Sequence, residues 1–135
     1  MAVERGSVRV LIVQDDRFLR RVHEVGLRQR GFAVLTAADG EEGLRVARAE
    51  RPDVVLLDLV MPKLQGFEVL RLLKADPATH GIAVVVLSSL GGDGDVETVL
   101  KAGAASHLLK GNLTTDTLAA TVDGVLKTRS SVTGQ

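Results

Sequence analysis

The chain has no cysteine, tryptophan or tyrosine, and only three phenylalanines and three prolines. Without cysteine there are no disulfides and no thiolate metal sites. So few aromatic rings leave no stacking platform for single-stranded nucleic acid. Net charge is lacking too: 17 basic side chains face 17 acidic ones. A general basic footprint is therefore absent, and direct binding of nucleic acid is not expected. No apolar run approaches membrane-spanning length, and the opening residues, Met1 to Ser7, hold no apolar core of signal-peptide length. These absences make no membrane association and a cytoplasmic location the default expectations. There is no internal repeat.

What is present is a core. In 135 residues, 45% are hydrophobic, mostly Val, Leu and Ala, which suits one ordinary domain. The run Val54-Val55-Leu56-Leu57-Asp58-Leu59-Val60-Met61-Pro62 organises the rest. Its four consecutive apolar residues end in an aspartate and read as a strand buried on both faces. Other strands are expected at Val8 to Val13, Phe32 to Thr36, Ile82 to Leu87 and Ala104 to Leu109.

Between them fall helices from Arg17 to Gln29, from Asp39 to about Glu50, from about Phe67 to Lys74, from about Val96 to Ala102, and from about Thr115 to Leu126. The first places Phe18, Leu19, Val22 and Val25 near one face, with Asp16 as its cap. The second opens on an acidic capping box, Asp39 with Glu42. Phe67, Val69, Leu70 and Leu73 are the expected core of the third. Gly103 ends the fourth, and Gly91-Gly92-Asp93-Gly94-Asp95 before it reads as a flexible loop. Leu118, Val122, Val125 and Leu126 form the apolar face of the last. Residues 1–7 are expected as a tail, 8–126 as the domain, and 127–135 as a polar, frayed tail or the start of a linker. Apolar strands alternating with amphipathic helices call for a doubly wound α/β fold, a parallel sheet covered on both sides.

In such a sheet the carboxyl edges of the strands converge. Gln14-Asp15-Asp16, Asp58, Ser88-Ser89 and Lys110 all fall at those edges. Aspartates held together there need a cation, and a hard divalent ion with oxygen ligands is the natural one. Lys110 can pair with a carboxylate or a phosphoryl oxygen, and Ser88 can donate a hydroxyl hydrogen bond to the same group. Such a set suits phosphorylation of the Asp58 carboxylate with magnesium, and it matches hydrolase triads poorly.

Three segments carry a resemblance. They are Leu11-Ile12-Val13-Gln14-Asp15-Asp16, then Val55 to Pro62 with Gly66, then Leu87-Ser88-Ser89 with Ala102-Gly103-Ala104 and Lys110. Across roughly Val8 to Leu126 the chain resembles a response-regulator receiver domain of two-component signalling. The resemblance implies a flavodoxin-like five-stranded parallel sheet in the order 2-1-3-4-5. It implies Asp58 as phosphoacceptor from a partner phosphohistidine, Asp15 as magnesium ligand and Val60 as backbone-carbonyl ligand. Ser88 becomes the switch hydroxyl and Lys110 the phosphate contact. The implied partners are a sensor histidine kinase or phosphotransfer protein, docking near Phe18, Leu19 and Val22, and a downstream protein or an output domain outside this chain. A homodimer through the last helices is a further expectation.

Three positions depart from that family's pattern. Gln14 stands where an acid is usual; its amide can accept a hydrogen bond from a magnesium-bound water but removes a negative charge, so weaker magnesium binding is expected. His107 replaces the usual aromatic switch residue, and Gly111 replaces a proline that often follows the lysine. Val60 and Leu90 flank the expected line of water attack and can neither orient nor activate that water, which implies a long-lived phosphorylated state. His23 and His80 read as surface residues. A calcium loop at 91–95 lacks the remaining ligands and closing glutamate. Two other functions are compatible with these residues: a receiver-like interaction module that is never phosphorylated, and a small phosphatase with Asp58 as covalent nucleophile. The second would need a second carboxylate as acid-base and a capped substrate pocket.

Overall fold

The computed structural model describes residues 5–60, 65–89 and 93–133, without the side chains of 93–95, 112 and 129–133. Its elements in chain order are β1 (Arg9–Val13), α1 (Arg17–Gln29), β2 (Ala33–Ala37), α2 (Gly40–Glu50), β3 (Val54–Asp58), α3 (Gly66–Ala75), β4 (Ala83–Ser88), α4 (Asp93–Lys101), β5 (Ser106–Leu109) and α5 (Thr115–Thr133). Short 3-10 turns lie at Arg5–Ser7 and Lys110–Asn112. The strands form one parallel sheet in the order β2-β1-β3-β4-β5, as expected.

Strand alternation sorts the side chains into two cores. Leu11, Val13, Val55, Leu57, Val84 and Val86 face one side, where Leu44, Ala47, Val69, Leu70, Leu73 and Val99 bring in α2, α3 and α4. Val10, Ile12, Val54, Leu56, Val85 and Leu87 face the other, against Leu27 of α1 and Leu118, Val122 and Leu126 of α5. Both faces of β3 and β4 are thus covered, which explains their unbroken apolar sequence. By the same alternation Asp58, two residues beyond Leu56, belongs to the side of α1 and α5.

Local signals placed several boundaries well. Asp16 Oδ1 accepts from the Leu19 amide at 3.0 Å and caps α1. Asp39 Oδ1 accepts from the Glu42 amide at 2.9 Å, while Glu42 reaches back to the Ala38 amide at 2.7 Å. Gly103, at φ +110°, closes α4, with the Ala104 amide donating to the Val99 carbonyl. That closing turn uses Ala104, so β5 begins at Ser106 rather than Ala104.

Three expectations need correction. The helix α4 begins at Asp93, so 93–95 are helical rather than loop; Gly91 and Gly92 lie outside the described residues. Aspartates suit the first turn of a helix, where they oppose its dipole. The helix α5 runs on to Thr133, well past its apolar face. Phe67 is exposed, although Val69, Leu70 and Leu73 are buried. The apolar stripe of α1, near which a partner is expected to dock, is not the buried face of that helix. Its buried residues are His23, Gly26 and Leu27, whereas Phe18 is 75% exposed and Val22 41%. Gly26 lets α1 approach α5 closely, since a Cβ there would stand 2.8 Å from Thr115 Oγ1.

The two faces of α1 should separate in urea denaturation. Leu27→Ala should cost about 2–5 kcal/mol through the cavity it leaves. Phe18→Ala and Val22→Ala should each stay within about 0.5 kcal/mol, as exposed positions do.

Candidate functional site

The register places the site. Val13 of β1 pairs with Leu57 of β3, so the next residues, Gln14 and Asp58, stand side by side. Asp58 pairs in turn with Leu87 of β4, immediately before Ser88. All three polar residues are buried, each 1% exposed. A carboxylate in such a place needs donors. Asp58 Oδ1 accepts from the Val60 amide at 3.0 Å, and Oδ2 accepts from Lys110 Nζ at 2.5 Å. Lys110 arrives in the 3-10 turn directly after β5 and stays partly open to solvent, 27% exposed at its side chain.

Gly66 makes the approach of α3 to this strand end possible. A Cβ there would collide with the Asp58 carbonyl oxygen and lie 2.6 Å from Leu59 Cα. The Gly66 amide donates to the Leu59 carbonyl at 3.0 Å. Residues 61–64 between them, including Met61 and Pro62, lie outside the described residues, as does Leu90. Val60 itself is 64% exposed.

On β1 the two consecutive positions differ sharply. Asp15 is exposed, while Gln14 is buried behind it. Gln14 Oε1 accepts from the Asp16 amide at 3.0 Å, and its Nε2 has no partner among the described residues. Arg20, from the first turns of α1, folds back to donate Nη1 to the carbonyl of Gln14 at 2.9 Å and of Asp15 at 3.4 Å. That arginine went unnoticed in the sequence. Its spacing from Asp15 is the one signal that could have found it, since a residue one helical turn inside a cap can reach the loop before it.

The chemistry of the donor set bears on magnesium. Among the described residues no three His, Cys, Asp or Glu side chains cluster to hold a metal on their own. Magnesium, however, keeps several waters and uses one or two carboxylates. Asp15 and Asp58, with the Val60 carbonyl nearby in sequence, fit that modest requirement, at one charge fewer than an acid in place of Gln14 would supply.

The histidines divide three ways. His80 is exposed, as expected. His107, on β5, is half-buried, with Nε2 unpartnered among the described residues. His23 is not a surface residue: it is 7% exposed on the inner face of α1, and its Nδ1 has no partner among the described residues. Burial, and secondarily the positive charge of Lys110, hold its pKa below the ordinary 6.5.

These features define a class: a doubly wound α/β domain with a lysine-paired aspartate at the carboxyl edge of its central strand. The response regulator receiver domain family matches residues 10–123. PleD of Caulobacter vibrioides, a response regulator, is 41% identical over 104 residues, covering 77% of this chain and 23% of PleD. The transcriptional regulatory protein PrrA of Mycobacterium tuberculosis is 41% identical over 125 residues, covering 93% of this chain and 52% of PrrA. Among solved structures, the Vibrio cholerae chemotaxis response regulator CheY4 superposes with a TM-score of 0.81 at 29% identity, covering 87% of this chain and 98% of that one. A Francisella response-regulator receiver domain gives a TM-score of 0.84 at 26% identity, covering 90% of this chain and 98% of that one. The chain belongs to the response-regulator receiver family and is a receiver domain of two-component signalling. It spans 23% to 52% of the length of these curated relatives.

Two variants report on the site's construction. Gly66→Ala should destabilise by about 1–3 kcal/mol and displace Asp58, read as shifted amide resonances for Leu59 and Val60. For His23, the stability tied to the neutral ring is full above pH 6.5, its unfolded value, and is lost as the pH falls from there through the lowered folded value. The unfolded chain takes up that proton first. The stability of His23→Leu should therefore vary less than that of the natural protein between about pH 7 and about pH 5, measured by urea midpoints.

Proposed function

We propose that Asp58 is the phosphoacceptor and that its phosphorylation switches the protein-binding surface of the domain. The observation that carries this is the pair formed by the buried Asp58 carboxylate and Lys110 Nζ at 2.5 Å. A lysine held there can follow the charge from the carboxylate onto a transferred phosphoryl group. In the proposed step an Asp58 carboxylate oxygen attacks phosphorus of a partner's phosphohistidine. An O–P bond forms, the P–N bond breaks, and the imidazole nitrogen leaves and takes a proton. Asp15, Asp58 and the Val60 carbonyl would hold a magnesium ion, whose charge offsets repulsion between carboxylates and phosphate; Gln14 lies at the edge of that group. Lys110 and Val60 N–H orient the carboxylate, and Ser88, buried at the end of β4, supplies a hydroxyl for the new phosphoryl oxygens.

The switch follows from packing. Recruiting Ser88 shifts the end of β4, and half-buried His107 on the neighbouring β5 responds with it. Leu100 of α4 and Leu109 of β5, 45% and 40% exposed, lie on the surface that would change. Phosphorylation then biases two states of one fold. A histidine kinase or phosphotransfer protein would dock on the exposed Phe18 and Val22 of α1. The output is a downstream protein or an attached domain, and the α4–β5–α5 side could also pair two copies.

Intact mass after treatment with acetyl phosphate tests the assignment. One phosphoryl group should be gained, with magnesium required, and Asp58→Asn should gain none. A gain that persists in Asp58→Asn would overturn it. Decay of the added mass should be slow and should quicken in Val60→Asn, because an apolar side chain cannot orient the attacking water.

A further inference from the structure

We propose that Gln14 is an anion-binding donor for the phosphoryl group on Asp58, not an outer partner of the metal ion; this rests on Asp58 being the acceptor. The orientation of the Gln14 amide is set by its neighbour. Its Oε1 accepts from the Asp16 amide at 3.0 Å, and the reversed amide would press N–H against N–H. The NH2 group is therefore the end left over. It is buried, and no partner for it exists among the described residues. A buried donor without an acceptor is costly, and its position says which acceptor would relieve it.

That position is the strand end beside Asp58, one step past the Val13–Leu57 pair. Both Asp58 oxygens already receive donors, from Val60 N–H and from Lys110. The acceptor that Gln14 lacks in the resting protein arrives with a phosphoryl group, which adds three oxygens at that carboxylate. Waters on a magnesium ion turn their hydrogens outward and seek acceptors, and an NH2 group offers them none. Arg20 holds the Gln14 and Asp15 carbonyls from behind, at 2.9 and 3.4 Å, so the β1 end that carries the amide is braced. Replacing an acid by this amide therefore shifts the pocket from cation toward anion.

The test is nuclear magnetic resonance on the full chain, observing side-chain amides. With only four glutamines, at 14, 29, 65 and 135, the Gln14 pair is assigned by its loss in Gln14→Glu. Magnesium alone should leave the pair in place. Acetyl phosphate with magnesium should move one proton of the pair downfield and slow its exchange with water by about tenfold or more. Calorimetry with magnesium alone should show Gln14→Glu binding on the order of tenfold tighter than the natural protein. Intact mass on the same samples separates the failures. A phosphoryl group gained while the pair stays unmoved, or a pair moved fully by magnesium alone, overturns the role of Gln14 only. No gain in mass overturns the acceptor assignment, and the Gln14 role with it.

Discussion

The contact between Lys110 Nζ and the Asp58 carboxylate joins residues 52 apart in sequence. It ties the end of the sheet's central strand to the turn that follows its edge strand. A carboxylate only 1% exposed is tolerable because Lys110 and the Val60 amide both donate to it. The rest of the site depends on that arrangement. Gly66 must lack a side chain so that α3 can begin against the Asp58 carbonyl. His23 feels the lysine from the inner face of α1. Removing either charge alone would leave the other without the partner that offsets its desolvation.

The sheet turns this single contact into a switchable domain. Because alternate residues of each strand face opposite helical layers, Asp58 on β3 belongs to the side of α1 and α5, while α2, α3 and α4 close the other. A change of charge at one strand end can thus reach both layers through residues packed directly on it. The surface of α1 offers exposed Phe18 and Val22, and the α4–β5 surface offers Leu100 and Leu109. Two separate apolar surfaces fit a domain that receives a signal from one partner and passes it to another.

Gln14 gives this receiver its own character. The pocket holds a buried amide where a second acid would otherwise stand, with its oxygen already committed to the cap of α1. The buried charge beside that amide is the Asp58 carboxylate, with Lys110 opposed to it, while Asp15 is exposed.

Sequence by itself determined what acts within a turn or a strand. The buried strands were legible as unbroken apolar runs, the caps of α1 and α2 as Asp16 and Asp39, the end of α4 as Gly103, and the polar residues at strand ends as a shared site. Those features depend on hydrogen bonds and periodicity among near neighbours. Tertiary structure alone decided which face of α1 is buried. Its apolar stripe of Phe18, Val22 and Val25 satisfies the same 3.6-residue period as the face of His23 and Leu27 that packs inward, and only the approach of α5 at Gly26 chooses between them. It also decided that Asp58 meets Lys110 and that Gln14 keeps a donor unpartnered among the described residues. Each of those facts is a distance between segments remote in sequence, set by strand register and crossover rather than by any residue's local preference.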